Sequence, residues 1–210
     1  VQVKIEHTFK IVEIKMANKV KFERENVIRV ASQLFWEKGF TATSTRDLQE
    51  AINMRPGSIY AAFGSKEGLY SESLKDYTVQ MKSQIDGFLA SSDTVVGGLR
   101  AFVENVIIKT KDCSPSAICM LVKANSEFAE KDASLYELSL DLSAKFEAYL
   151  TTLFAQAIKN NELSSNLTAL EYAQFFQVQF TGLRGYFNRP GVEQLAQPMI
   201  NQMFALIKKL

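Results

Sequence analysis

The sequence predicts an all-α chain, and three observations carry the prediction. Apolar residues recur at three- and four-residue spacing from Phe22 onward, the breaks between these runs are short and rich in Gly, Pro, Asn and Ser, and no run after Lys15 alternates as a strand does. About nine helices result, grouped as a set of short helices followed by a larger body of long ones, with no internal repeat.

Val1 to Lys15 is the exception. Val1, Val3 and Ile5, then Phe9 and Ile11, alternate with polar residues, and Met16-Ala17-Asn18-Lys19 reads like a natural start. Residues 1–18 are read as an extension, either upstream residues or a functional arm.

Over Phe22 to Lys38 the positions Val27, Val30, Ala31, Leu34 and Phe35 form one stripe, which Gly39 ends and onto which Phe40 turns back. Ser44 and Asp47 have capping-box spacing, so a helix starts there and runs through Ile52. Asn53 tolerates the left-handed backbone of a sharp turn, and Pro56 suits the first position of the next helix, where a missing N–H costs nothing. Gly64 ends that helix and Ser65 caps a fourth, with Glu67 in its first turn. The middle two helices are about two turns each and are unstable alone, so this segment must pack on Leu34, Phe35, Phe40, Leu48, Ile59, Phe63 and Leu69.

The remaining helices are expected from Leu69 to about Leu89, from a Ser91-Ser92-Asp93 cap to about Lys109, and from Ile118 to about Ala129. Ala133 to about Asn160, Thr168 to about Phe187 and Gly191 to Leu210 complete the set. Two domains are read after the extension, residues 19–70 and 71–210.

With 47% hydrophobic and 22% charged residues the chain is neither disordered nor fibrous. A net charge of +1 gives no global basic signature, although residues up to Tyr70 hold 11 Lys/Arg against 8 Asp/Glu. Cys113 and Cys119 have the wrong spacing for a metal knuckle, and no apolar run is long enough to span a bilayer. With His7 as the single histidine, triad or His-rich metal chemistry has little to work with. The expectation is a cytoplasmic protein that is not an enzyme and holds no metal or cofactor.

The chemistry-bearing stretch is Thr43 to Tyr70. Two short helices joined by a tight turn form a helix-turn-helix, in which Pro56 to Ala62 enters the major groove. Small residues, Gly57, Ser58, Ala61 and Ala62, permit close approach. Arg55, Gly57 and Ser58 are candidates for base edges, and Tyr60 for a phosphate. Thr43, Ser44 and Thr45 at one helix start, with Ser65 and Lys66 at another, offer hydroxyls, free N–H groups and charge to the backbone, while Arg46 is either a contact or a solvated face.

Leu34-Phe35-Trp36-Glu37-Lys38-Gly39-Phe40, Thr43-Ser44-Thr45-Arg46-Asp47-Leu48, Gly57-Ser58-Ile59-Tyr60 with Phe63, and Ser65-Lys66-Glu67 together resemble the tetracycline-repressor (TetR) family of bacterial regulators over about residues 24–75. Asn53 stands in place of the usual turn glycine, and Pro56 where many members carry Lys. The resemblance implies an all-helical homodimer that binds a palindromic double-stranded DNA operator and releases it when a small-molecule effector enters the second domain. It further implies an apolar pocket among the helices carrying Phe88, Phe102, Val106, Phe128, Phe146 and Phe176, unless these side chains simply fill space. The last two helices resemble the family's dimerisation pair, with Gly182 and Gly185 allowing close approach and Met199, Met203 and Phe204 forming a stripe.

Cys119 is expected near a helix start, where the dipole lowers a thiol pKa. It is read as lining the pocket, as a redox or electrophile sensor, or as an ordinary buried cysteine. A small-molecule binding protein without specific DNA binding is the alternative from another class.

Overall fold

The computed structural model describes residues 24–111 and 114–210; the expectations for residues 1–18 and for Cys113 lie outside them. The described residues contain nine α-helices and no strand. They are α1 (24–38), α2 (Thr45–Ile52), α3 (Pro56–Phe63), α4 (Lys66–Ala90), α5 (Val95–Glu104), α6 (Met120–Phe128), α7 (Ala133–Lys159), α8 (Ala169–Tyr186) and α9 (Ala196–Ile207). The chain divides into two compact units at Asp76/Tyr77, within α4, whereas the sequence reading places the boundary at Tyr70.

In the first unit the α1 stripe is buried through Val27, Ala31 and Phe35, against Leu48 of α2, Ile59 of α3 and Leu69, Tyr70 and Leu74 of α4. Phe40 does turn back. Its ring lies 6.1 Å from Phe35 and 5.1 Å from Tyr70, and Tyr70 meets Phe35 edge-on at 4.9 Å. Edge-to-face rings align opposite ends of their quadrupoles, so the three aromatics fix the turn after α1 more firmly than burial alone. Gly68 lets α3 end directly against α4, because a Cβ there would sit 2.0 Å from the carbonyl oxygen of Phe63.

In the second unit α7 and α8 pack along each other. Phe154 stacks on Tyr172 at 5.8 Å, Phe176 lies 5.8 Å from Phe154 and 5.9 Å from Phe180, and Phe180 lies 5.4 Å from Phe102 of α5. Phe204 of α9 closes the row against Phe176 at 6.4 Å. The aromatics crowding this half of the sequence are therefore largely its core.

Two helix boundaries differ from the sequence reading. The α5 cap is Thr94, whose hydroxyl accepts the Gly97 N–H at 3.0 Å, while Ser91 and Ser92 turn back onto the carbonyls of Phe88 and Leu89. A distant side chain completes that cap: Glu162 accepts from Val95 N–H at 3.0 Å and Val96 N–H at 2.9 Å. The helical path continues to Lys109, but Asn105–Lys109 is a π-helical turn closed by Thr110 N–H to Asn105 O at 2.8 Å. At the other end, Gly191 sits in a turn at φ 78° and a 3-10 turn, Glu193–Leu195, precedes α9, so the last helix starts later than Gly191.

Candidate nucleic-acid interface

The start of α2 is built by local hydrogen bonds. Asp47 N–H donates to Ser44 Oγ at 3.1 Å while Ser44 N–H donates to Asp47 Oδ2 at 2.7 Å, closing the capping box although the acid is Asp. Lys38 reaches the other carboxylate oxygen at 2.6 Å. That ammonium, followed by the Ser44 hydroxyl and N–H, holds the Asp47 carboxyl well below the usual carboxylate range. Asn53 takes the left-handed conformation, φ 56°, and α3 begins with Pro56 in its first turn and Arg55 as its cap residue.

α3 then separates its side chains cleanly. Ile59 faces inward with 1% of its surface exposed, whereas Arg55, Gly57, Ser58, Ala61 and Ala62 are exposed. A Cβ placed on Gly57 would meet nothing within 4 Å, so the domain's own packing does not demand glycine there. Tyr60 is half-buried, and its hydroxyl lies 2.9 Å from that of Thr45.

Several expected contacts have other occupations. Thr43 is fully buried and donates to Gly39 O at 2.6 Å, which removes its side chain from any outer surface. Ser65 uses its hydroxyl to accept Gly68 N–H at 3.1 Å, capping α4. Lys66 turns back, donating to Phe40 O at 2.7 Å with its ammonium 4.2 Å from the centre of the Phe40 ring. Arg46 is exposed and pairs with Glu50 at 2.8 Å along α2. Phe63 is half-buried rather than core: the Arg24 guanidinium covers its ring at 4.2 Å and donates to Ala62 O at 2.8 Å. Nothing local in sequence announces the Arg24 clamp, because the nearer of its two partners, Ala62, stands 38 residues away.

In the second unit the predicted pocket residues stand in different surroundings. Phe102, Phe128, Phe146 and Phe176 are buried, with Phe102 and Phe176 in the aromatic row, and Phe88 lies half-buried 6.3 Å from Phe102. Val106 borders a recess of about 280 Å³, counting its part open to solvent, together with Ile107, Lys111, Ser114, Ala117, Arg184 and Phe187. Cys119 is half-buried at the cap of α6, where the Tyr77 hydroxyl donates to its sulfur at 3.4 Å. Burial pushes the Tyr77 phenol up, so it remains a protonated donor.

The α8–α9 residues also divide. Met203 and Phe204 are buried within the subunit and Met199 is half-buried, so this stripe is mainly internal packing. Gly182 and Gly185 are exposed, and a Cβ on either would meet nothing within 4 Å. Val178, 69% exposed, shares their face of α8, and Leu206 of α9 is 43% exposed. Among the described residues no group of three or more His, Cys, Asp and Glu side chains is placed to hold a metal, and no helix is long and apolar enough to cross a membrane.

Comparison with known proteins identifies the first unit. Residues 27–72 match the family model for bacterial regulatory proteins, tetR family. The HTH-type transcriptional repressor BdcR of Escherichia coli (strain K12) is 44% identical over 57 residues, 27% of this chain and 29% of that repressor, so the match spans less than a third of the curated relative. The fold extends further. A TetR-family transcriptional regulator from Cytophaga hutchinsonii superposes with a TM-score of 0.79 at 19% identity, over 89% of this chain and 94% of that one. A cysteine mutant of the TetR-family regulator CifR, complexed with 26bp double-strand operator DNA, does so with a TM-score of 0.71 at 24% identity, over 86% and 94% of the two chains. Residues 27–72 thus carry the helix-turn-helix of the tetR family's model, and the chain as a whole shares the fold of solved TetR-family transcriptional regulators.

Proposed function

We propose that the protein is a repressor that binds a palindromic DNA operator as a homodimer in the cytoplasm and lets go when a small molecule occupies its second unit. The observation that carries this is the outer face of α3, where Arg55, Gly57 and Ser58 are exposed and the smallness of Gly57 has no packing cause. A backbone bare of side chains beside a guanidinium suits close approach to base edges, which Arg55 reads at guanine O6 and N7. The Thr45–Tyr60 hydroxyl pair and the α2 N-terminus supply contacts to the phosphates, which set register without reading sequence. BdcR is named as a repressor, and CifR was solved on operator DNA.

A homodimer is needed because a single α3 reads one half-site, and half-sites recur about 34 Å apart, one turn of DNA. The surface for it is the open face of α8 and α9 with Gly182, Gly185, Val178 and Leu206. Small residues let helices approach, and exposed Val and Leu gain from losing water. Release follows if the effector binds more tightly to a form whose two reading heads are wrongly spaced, with α4 carrying the change.

A second reading keeps the DNA-binding role and puts the trigger at Cys119, whose half-exposed sulfur accepts the Tyr77 O–H. Oxidation there would break that bond. It fails if Cys119→Ser still releases DNA under oxidant.

Footprinting on the DNA upstream of the protein's own gene, with the mass in solution measured alongside, tests the main reading. A symmetric protected site bound by a dimer supports it, and protection without symmetry or preference rejects it.

A further inference from the structure

α3 is eight residues long, too short to be stable alone, so the contacts that hold it decide where its outer face points. Ile59 anchors its middle in the core, and the Thr45–Tyr60 hydroxyl pair ties it to α2. Its last turn is held from α1. Arg24, at the start of that helix, donates from Nη1 to Ala62 O at 2.8 Å and lays its guanidinium 4.2 Å from the centre of the Phe63 ring. Its Nη2 lies 3.7 Å from Glu72 Oε2 of α4, while the other oxygen of Glu72 takes the Lys75 ammonium at 3.1 Å.

Each contact suits its place. Ala62 O belongs to the last turn of α3, whose carbonyls have no N–H of their own helix to accept and form the negative end of its dipole. The face of the Phe63 ring attracts a cation. A planar guanidinium serves a carbonyl and a carboxylate through different nitrogens while it lies on a ring, which the single charged centre of a lysine does not. Ala61 and Ala62 are exposed, so neither side chain anchors this end of α3.

We infer that Arg24 is a positioning residue of the reading head: by fastening the last turn of α3 to α1 and α4 it sets the tilt at which α3 meets DNA, without touching DNA itself. The inference rests on the reading of α3 as the helix that reads bases, and adds the residue that aims it. With a rise of about 1.5 Å per residue, Arg55 lies about 6 Å along the axis from Ile59, so a tilt of about 10° around Ile59 carries it about 1 Å. That displacement spoils a two-bond fit to guanine, whose hydrogen bonds tolerate no more than about 3.2 Å. By charge alone Arg24 reads as a phosphate contact, and the two roles leave different marks. A phosphate contact acts on every sequence alike and adds to the salt dependence, whereas positioning acts on base reading.

The test titrates the full chain, Arg24→Gln and Arg24→Lys against two DNAs of equal length, the site footprinted upstream of the protein's own gene and a shuffled copy of it. Salt is varied, and the temperature is one at which circular dichroism shows every variant folded. Amide hydrogen exchange is followed in parallel. Arg24→Gln should lower the ratio of site affinity to shuffled affinity about threefold to tenfold, the range of one exposed cation–π contact with one hydrogen bond from a charged donor. The slope of log affinity against log salt should not change, and the amides of residues 61–64 should exchange faster while that of Leu48 in α2 keeps its rate. Arg24→Lys keeps the charge but not the fork, so its ratio should fall between those of the parent and Arg24→Gln, and it carries the test if Arg24→Gln does not fold. Equal losses on both DNAs with a slope smaller by about one would make Arg24 a phosphate contact. Exchange that quickens in α2 and α3 alike would make it a general stabiliser. Either result overturns the inference, as does an unchanged ratio. A parent that does not prefer the footprinted site rejects the repressor reading instead, and exchange then decides the clamp: acceleration confined to α3 supports it, and unchanged exchange overturns it.

Discussion

The hydroxyls of Thr45 and Tyr60 lie 2.9 Å apart and join the first residue of α2 to the middle of α3. The bond fixes the angle between the two helices of the reading head and leaves both hydroxyls half-exposed, where a phosphate oxygen can accept a proton from either. Tyr60→Phe removes the bond while keeping the ring. It should lower stability by about 0.5–1.5 kcal/mol, measured by urea denaturation, and weaken binding to operator and to random DNA by the same factor. A selective loss on operator alone would make Tyr60 a base reader.

Gly57→Ala separates folding from recognition. The added methyl meets no protein atom within 4 Å, and alanine is the better helix former by up to about 1 kcal/mol, so the Tm should hold or rise. Operator affinity should fall, because the methyl stands on the face offered to DNA. Unchanged affinity would mean that α3 does not approach bases at Gly57.

Asp47 gives the reading head an acid limb. Its folded pKa is depressed, first by the hydrogen bond from Lys38 and then by Ser44, so the ionised form favours folding. The contribution is fully present above the unfolded value of about 4 and is lost as pH falls below it toward the folded value. Asp47→Asn should therefore be less stable than the parent at neutral pH, with the gap closing as the solution is acidified below about pH 4. A gap that stays constant with pH would assign the loss to packing.

Val178→Asp tests the assembly surface. The side chain is 69% exposed in the isolated subunit, so the subunit fold should tolerate a charge there. Two-fold pairing would bring the carboxylates of both copies near one interface, and like charges there are repulsive. Sedimentation should show monomers that bind a half-site weakly. A stable dimer would place the interface elsewhere.

Much of the fold was legible because the signals are local. Ser44 with Asp47, Asn53, Pro56 and Gly64 each act on backbone within a few residues, and all take the conformations their chemistry predicts. What was not legible depends on distance. Glu162 caps α5 from 66 residues away, and Lys66 spends its ammonium on Phe40 O, 26 residues back. Thr94 outcompetes Asp93 as the cap because only its hydroxyl meets the Gly97 N–H, a choice between neighbours that periodicity cannot make. On α9 the apolar residues run over more than one face, so the sequence could not say that Met203 and Phe204 turn inward while Leu206 stays exposed. Nor does Thr43, lying next to the exposed Ser44, announce that it is buried.

The central claim is that α3 reads sequence, and Arg55 is its most direct test. Operator and random DNA of equal length should be titrated with the parent protein and with Arg55→Ala at fixed salt. The account predicts that the variant loses operator affinity by about 1–3 kcal/mol while its affinity for random DNA changes much less. An equal loss on both would contradict it, reducing Arg55 to a phosphate contact and leaving the exposed face of α3 without a base reader.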